Sequence, residues 1–166
     1  MDGNKLVKKA RDGDKHAFAA LYIRYKDSLY RYAYYKLRSA EDANDAVSAC
    51  VTQACMGICS IRNEKAFSSW LFRILYRECC AIIRKKTQLS FAEIDENRYA
   101  VPDGTYIRSE LSEALDSLAA EDRDIVLLSV VAGYNSQEIA QMLRMNPSTV
   151  RSRLSRALGR MRQFLE

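Results

Sequence analysis

From residue 4 to residue 86 apolar side chains recur at intervals of three and four, and very little interrupts them. That spacing lines up one face of an α-helix, whereas a half-buried strand would alternate with a period of two. The pattern predicts four helices. The first covers residues 5–11 and breaks at Gly13. The second runs over 15–37 and sets Phe18, Leu21, Tyr22, Tyr25, Leu29 and Tyr32 on one side. Ser39 followed by Asp42 has the spacing of a capping box, a carboxylate standing where Glu or Gln is usual, and opens a third helix to residue 58. After a polar break at 60–65, a fourth helix spans 66–86.

Periodicity fades from Thr87, and residues 89–107 are acidic and contain Pro102, Asp103 and Gly104, the composition of a linker. Beyond it, residues 109–118 and 121–132 read as amphipathic helices, the second ended by Gly133. Asn135 with Glu138 three residues on forms another capping box and opens a short helix to Leu143. Asn146 then caps a last helix, with Pro147 at the first position, where a missing N–H costs nothing. The expected fold is all-α, with two small helical domains, 1–88 and 108–166, joined by a flexible linker, 89–107; the second contains a helix-turn-helix.

Charge is segregated along the chain. Residues 1–88 carry 17 Lys/Arg against 9 Asp/Glu, a balance of +8, and residues 89–107 carry 1 against 4, a balance of −3. Residues 110–124 hold six acids and one Arg, whereas 144–162 hold six Arg and no acid. A concentrated basic stretch is the electrostatic footprint of a phosphate backbone. No apolar run reaches the roughly 20 residues that span a bilayer, and the first residues lack the apolar core of a signal peptide, so no membrane insertion and a cytoplasmic location are expected.

The chemistry of an enzyme is missing from the pattern. His16 is the sole histidine, no carboxylate pair falls at informative spacing, and no Gly-rich phosphate loop occurs. Five cysteines include no CxxC, and neither Cys59 nor the Cys79–Cys80 pair has a histidine nearby in sequence. Cys50 and Cys55 fall in the helical series Val47, Cys50, Val51, Ala54, Cys55, Ile58 and are expected in the core. No catalytic residue, metal or cofactor is expected.

On a helical wheel of the last helix, Val150, Leu154, Ala157, Leu158, Met161, Phe164 and Leu165 share an apolar sector. Thr149, Ser152, Arg153, Arg156 and Arg160 cluster on the other side, flanked by Arg151 and Arg162. Arg bonds guanine bidentately or neutralises phosphate, and Ser and Thr near a helix start meet phosphates or base edges. In the fourth helix, Arg73, Arg77 and Arg84 form a narrow basic stripe beside Trp70, Ile74, Leu75, Cys79 and Ile82.

The stretch IVLLSVVAGYNSQEIAQML and above all residues 147–157, PSTVRSRLSRA, resemble region 4 of the extracytoplasmic-function (ECF) sigma factors of bacterial RNA polymerase. Independently, Ala17-Phe18, Leu21-Tyr22, Tyr25, Leu29-Tyr30, Glu41-Asp42-Ala43, Asp45-Ala46-Val47 and residues 70–74, WLFRI, resemble region 2 of the same family, in its order and spacing. The resemblance implies a transcription initiation factor whose partners are core RNA polymerase, promoter DNA and, for some members, an anti-sigma factor. It implies contacts to the minus-35 element by Ser148, Thr149, Arg151, Ser152, Arg153, Arg156 and Arg160. Arg73, Arg77 and Arg84 would face the minus-10 element, and loop residues 61–66, with Arg62 and Asn63, would help capture a flipped single-stranded base.

The resemblance further implies docking on a coiled coil of the polymerase's largest subunit, and on its flap, with Asp45, Ser48, Ala49, Thr52 and Gln53 on the coiled-coil face. The family's Asp-x-x-Gln-Glu pattern there survives only as Asp45, since Ser48 and Ala49 replace the Gln and Glu. Arg144 likewise stands where the family usually has Gly in the helix-turn-helix turn. Two other functions remain open at this stage: a helix-turn-helix regulator acting without polymerase, and a sigma-like interaction adaptor.

Overall fold

The computed structural model describes residues 2–90 and 108–166. The described residues form helices α1 (Gly3–Arg11), α2 (Lys15–Leu37), α3 (Ala40–Gly57), α4 (Phe67–Ser90), α5 (Glu110–Asp116), α6 (Ala120–Val130), α7 (Ser136–Leu143) and α8 (Pro147–Leu165), with 3-10 turns at Ile58–Ser60 and Glu64–Ala66. No strand occurs among them. None of the helices is long and apolar enough to cross a membrane. The sequence placed the helices within a few residues, and α4 continues to Ser90, two residues into the expected linker. The rest of that stretch, 91–107, lies outside the described residues.

Side chains set the helix starts. The Asp14 carboxylate accepts from the backbone N–H of His16 and Ala17 at 2.9 and 3.1 Å, and Ser39 accepts from Asp42 at 3.1 Å. Such caps are each worth about 1 kcal/mol because they satisfy donors that no helical carbonyl can reach. The Asp42 carboxylate pairs with Lys86 on α4, so the expected capping box has its carboxylate drawn into an inter-helix ion pair. Asn135 and Glu138 do form the full reciprocal box, at 2.9 and 3.1 Å. Gly133, at φ 77°, lets the Tyr134 N–H return to the Leu128 carbonyl and close the end of α6.

Helices α1 to α4 pack around Leu21, Leu29, Tyr32, Cys50, Leu75 and Cys79, all at most 2% exposed. Tyr32 meets Phe72 and Tyr25 meets Phe67 edge to face, with centroids 6.0 and 5.5 Å apart. Helices α5 to α8 close over Ile125, Leu127, Leu128, Ile139 and Val150. Each fully buried Leu or Ile contributes about 1.5 to 3 kcal/mol, which is why these two clusters fix the two halves.

Cys55 corrects the sequence reading, because it is exposed while Cys50 is buried. The face that α3 buries centres on Ala43, Cys50 and Ala54. At about 100° per residue, Cys55 lies roughly 120° from the middle of that face.

The two halves touch. Lys36 Nζ on α2 reaches Asp124 Oδ1 on α6 at 2.6 Å, and Arg38 Nη2 reaches Asp116 Oδ2 at 2.9 Å. The Lys36 ammonium also stands 5.0 Å from the centre of the Tyr76 ring. The Tyr134 hydroxyl donates to the Ser69 carbonyl on α4. Burial lifts that phenol to about 12, against the opposing pull of nearby Arg73.

Candidate nucleic-acid and polymerase interfaces

Helix α8 is fixed from its start and from one face. Asn146 accepts from the Ser148 N–H at 3.0 Å, Pro147 occupies the first turn, and Val150, Ala157 and Met161 are buried against the rest of the domain. The opposite surface is consequently free for a ligand: Ser148, Thr149, Arg151, Ser152, Arg156 and Arg160 are all exposed. Arg156 Nε donates to the Ser152 carbonyl at 3.3 Å, which lays its guanidinium along the helix. The turn before α8 places Arg144 in the left-handed region, at φ 55° and ψ 50°, the conformation that favours the family's glycine.

Arg153 does not share that surface. Its Nη1 bonds Glu121 at 2.6 Å and its Nε meets Asp122 at 2.9 Å, so it ties α8 to the start of α6. These partners, the Glu121 hydrogen bond foremost, raise its pKa further. The wheel contained a warning, since Arg153 is only about 60° from Val150 at 100° per residue. The acids that claim it come from another helix, which no periodicity could reveal. The apolar sector is also narrower than expected: Leu158, Phe164 and Leu165 are 37%, 49% and 45% exposed.

On α4 the residues Phe67, Leu71, Phe72, Ile74, Leu75 and Cys79 are buried. Arg73, Arg77 and Arg84 are thereby turned outward as an exposed row. Trp70 is half-buried and lies within 3.4 Å of where a side chain on Gly57 would begin. Arg62 and Asn63 are exposed at the crest of the loop between the two 3-10 turns, where the Asn63 side chain accepts from the Lys65 N–H at 3.0 Å.

On α3 the outward face carries Asp45, Ser48, Thr52 and Gln53, all exposed, with Ala49 half-buried. Met56 adds an apolar end to this face at 73% exposure. Thr52 bonds back to the Ser48 carbonyl at 2.9 Å, and the Gln53 amide donates to Glu78 on α4. A mostly uncharged strip therefore carries Asp45 near its amino-terminal end, with Glu41 exposed one turn before it.

Comparison with known proteins identifies the family. The description "Sigma-70 region 2" matches residues 21–88, and "Sigma-70, region 4" matches residues 108–161. The ECF RNA polymerase sigma factor SigM of Mycobacterium tuberculosis is 34% identical over 156 residues, which cover 92% of this chain and 79% of that protein. RNA polymerase sigma factor SigV of Bacillus subtilis is 30% identical over 141 residues, covering 83% of this chain and 84% of that one. Among solved structures, CnrH in complex with the cytosolic domain of CnrY is similar in fold, with a TM-score of 0.69 at 22% identity, covering 98% of this chain and 96% of that one. With both regions present in order and a close relative spanned over most of its length, the chain belongs to the extracytoplasmic-function sigma factors of the sigma-70 family, which bind core RNA polymerase and direct it to promoters.

Proposed function

We propose that this sigma factor divides promoter recognition between α8, entering the major groove at the minus-35 element, and the α4 stripe with loop 61–66, engaging the minus-10 element. The observation that carries this reading is the exposed arginines on each domain: Arg156 and Arg160 on one flank of α8 with Arg151 on the other, and the row of Arg73, Arg77 and Arg84 on α4. Guanidinium groups in such rows release counterions from phosphate, and those nearest base edges add sequence discrimination. On this reading residues 1–88 and 108–166 are separate working units joined by 89–107, and the protein acts in the cytoplasm, where polymerase meets the chromosome. An anti-sigma factor is part of the proposal as a partner class, carried by family membership alone.

Docking on the coiled coil of the polymerase's largest subunit is assigned to the α3 face of Asp45, Ser48, Ala49, Thr52 and Gln53, with the flap meeting the second domain. Asp45 is the main charged anchor of that face. Removing it is expected to weaken core binding by about 1 to 3 kcal/mol, the range for a charged hydrogen bond whose partner is left buried. Ser48→Gln with Ala49→Glu should tighten binding, because those positions lie beside Asp45 on one surface. Titration of labelled protein with core polymerase at fixed salt tests both, with run-off transcription as the activity readout. No binding by the natural sequence, and none gained by the double substitution, sinks this docking mode.

A further inference from the structure

Helix α1 lies outside residues 21–88, the part of the chain that matches region 2, yet it packs against both 3-10 turns of the loop between α3 and α4. Leu6, Val7 and Ala10 are buried and hold α1 to the domain, so its last residue, Arg11, projects from a fixed base. Arg11 Nη1 donates to the Ile61 carbonyl at 3.3 Å, and its Nη2 meets the Glu64 carboxylate at 3.0 Å. Those two partners sit immediately before and immediately after Arg62–Asn63. Both Ile61 and Asn63 have extended backbone, at φ −71° and −127°, and their 3-10 hydrogen bonds run back to Ile58 and forward to Ala66 rather than across the crest. One planar guanidinium, bonded to both flanks, bridges it, a geometry a fork of donors makes and a point charge does not.

We propose that Arg11 is a positioning residue for promoter-strand capture: by bracing Ile61 and Glu64 it holds Arg62 and Asn63 in the shape that receives the extruded base. This inference rests on the reading that loop 61–66 engages the minus-10 strand. Flipping a base costs unstacking energy, and a loop already in its bound shape avoids a further ordering cost at that moment. The charge surroundings favour the brace: the Glu64 carboxyl is held below its usual range, first by its own backbone N–H and then by Arg11 and Lys8. Arg11 also ends α1, where a cation is favoured by the carbonyl ends of the helix.

The test uses holoenzyme assembled from the full chain and core polymerase, with fork-junction DNA whose minus-10 strand is single-stranded, and a set of the same forks each made abasic at one position. The reading is the affinity ratio between the intact fork and the most damaging abasic fork. Arg11→Ala should weaken intact-fork binding roughly tenfold, the order of losing a charged hydrogen bond, and move the ratio toward one. Minus-35 duplex affinity, core affinity and melting temperature should stay as they were. Arg11→Lys, able to meet only one flank at a time, and Glu64→Gln should fall between. Arg62→Ala and Asn63→Ala report on the loop itself: if neither changes the ratio, loop capture fails and the positioning role falls with it. If they change it and Arg11→Ala, Arg11→Lys and Glu64→Gln do not, loop capture stands and Arg11 is not its positioning residue. Loss of core affinity and melting temperature in step with the ratio, in Arg11→Lys as in Arg11→Ala, would make Arg11 a general structural residue and overturn the proposal.

Discussion

Lys36 on α2 and Asp124 on α6 meet at 2.6 Å across the junction of the two domains, with the Lys36 side chain only 5% exposed. The neighbouring Arg38–Asp116 pair repeats the polarity, so the first domain supplies both cations and the second both carboxylates. A compact chain of this length is roughly 40 Å across, from the usual scaling of radius with length. Elements at minus 35 and minus 10 are separated by about 25 base pairs, or about 85 Å at 3.4 Å each.

On the proposed division of promoter recognition, the junction must therefore part before both elements are served by one molecule. Removing one member of a buried pair commonly costs about 3 to 5 kcal/mol, but here Asp124 regains water when the domains separate. Lys36→Ala should consequently open the molecule rather than unfold it. Energy transfer between dyes on the two domains should fall, and rising salt should lower it in the natural protein too. Equal transfer in both proteins at all salt concentrations would show that this pair does not hold the junction.

Arg153 and Arg156 are three residues apart on α8 and should respond differently to truncation. Arg156→Ala is expected to weaken minus-35 duplex binding by about 1 to 3 kcal/mol if the contact is to a base. Arg153→Ala removes the ties to Glu121 and Asp122 and should lower the melting temperature modestly, with a smaller effect on DNA affinity. A gel-shift titration and a thermal melt on the same samples separate the two. Equal loss of affinity with unchanged melting would return Arg153 to the groove.

Two arginines, Arg38 and Arg144, occupy left-handed backbone at φ 57° and 55°. That conformation costs a residue with a Cβ roughly 1 to 2 kcal/mol, partly offset in any Gly replacement by greater freedom of the unfolded chain. Arg144 is exposed, so Arg144→Gly should stabilise the fold by about 0.5 to 1 kcal/mol in denaturant titration. Arg38→Gly gains the same relief but loses the Asp116 pair, and should loosen the domain junction. A loss of stability in Arg144→Gly would mean that the arginine side chain is itself holding the turn.

Four of the five cysteines should react with a thiol reagent in two classes. Cys55 and Cys59 are exposed and should react promptly with a thiol reagent at pH 8, whereas Cys50 and Cys79 should react only on unfolding. Burial pushes the Cys50 thiol up to about 12 from 9.0, and raises Cys79 as well. Because the folded value is the higher one, the stability linked to Cys50 is fully present below pH 9 and is lost as pH rises toward 12. Cys50→Ala should flatten that alkaline decline. A natural protein as stable at pH 11 as at pH 8 would contradict it.

The helices, three of their caps and the α4 arginine row were legible in the sequence because each depends on neighbours within one or two turns. Ser39, Asn135 and Asn146 act on N–H groups two or three residues away, and the row of Arg73, Arg77 and Arg84 follows from helical periodicity alone. What the sequence could not decide is every relationship made between elements. Cys55 shares a broad apolar arc with Cys50, yet α2 and α4 cover only the middle of that arc. Arg153 reads as part of a basic face until α6 brings Glu121 and Asp122 beside it. Arg11, at the end of a helix that local pattern explains fully, acquires Ile61 and Glu64 only through the packing of α1 across the loop. The junction of Lys36 with Asp124 joins residues 88 positions apart. Local order is fixed by short-range hydrogen bonds and spacing, which a sequence displays; the partners of a charged side chain are fixed by which surfaces the two apolar cores bring together, and that is decided only in three dimensions.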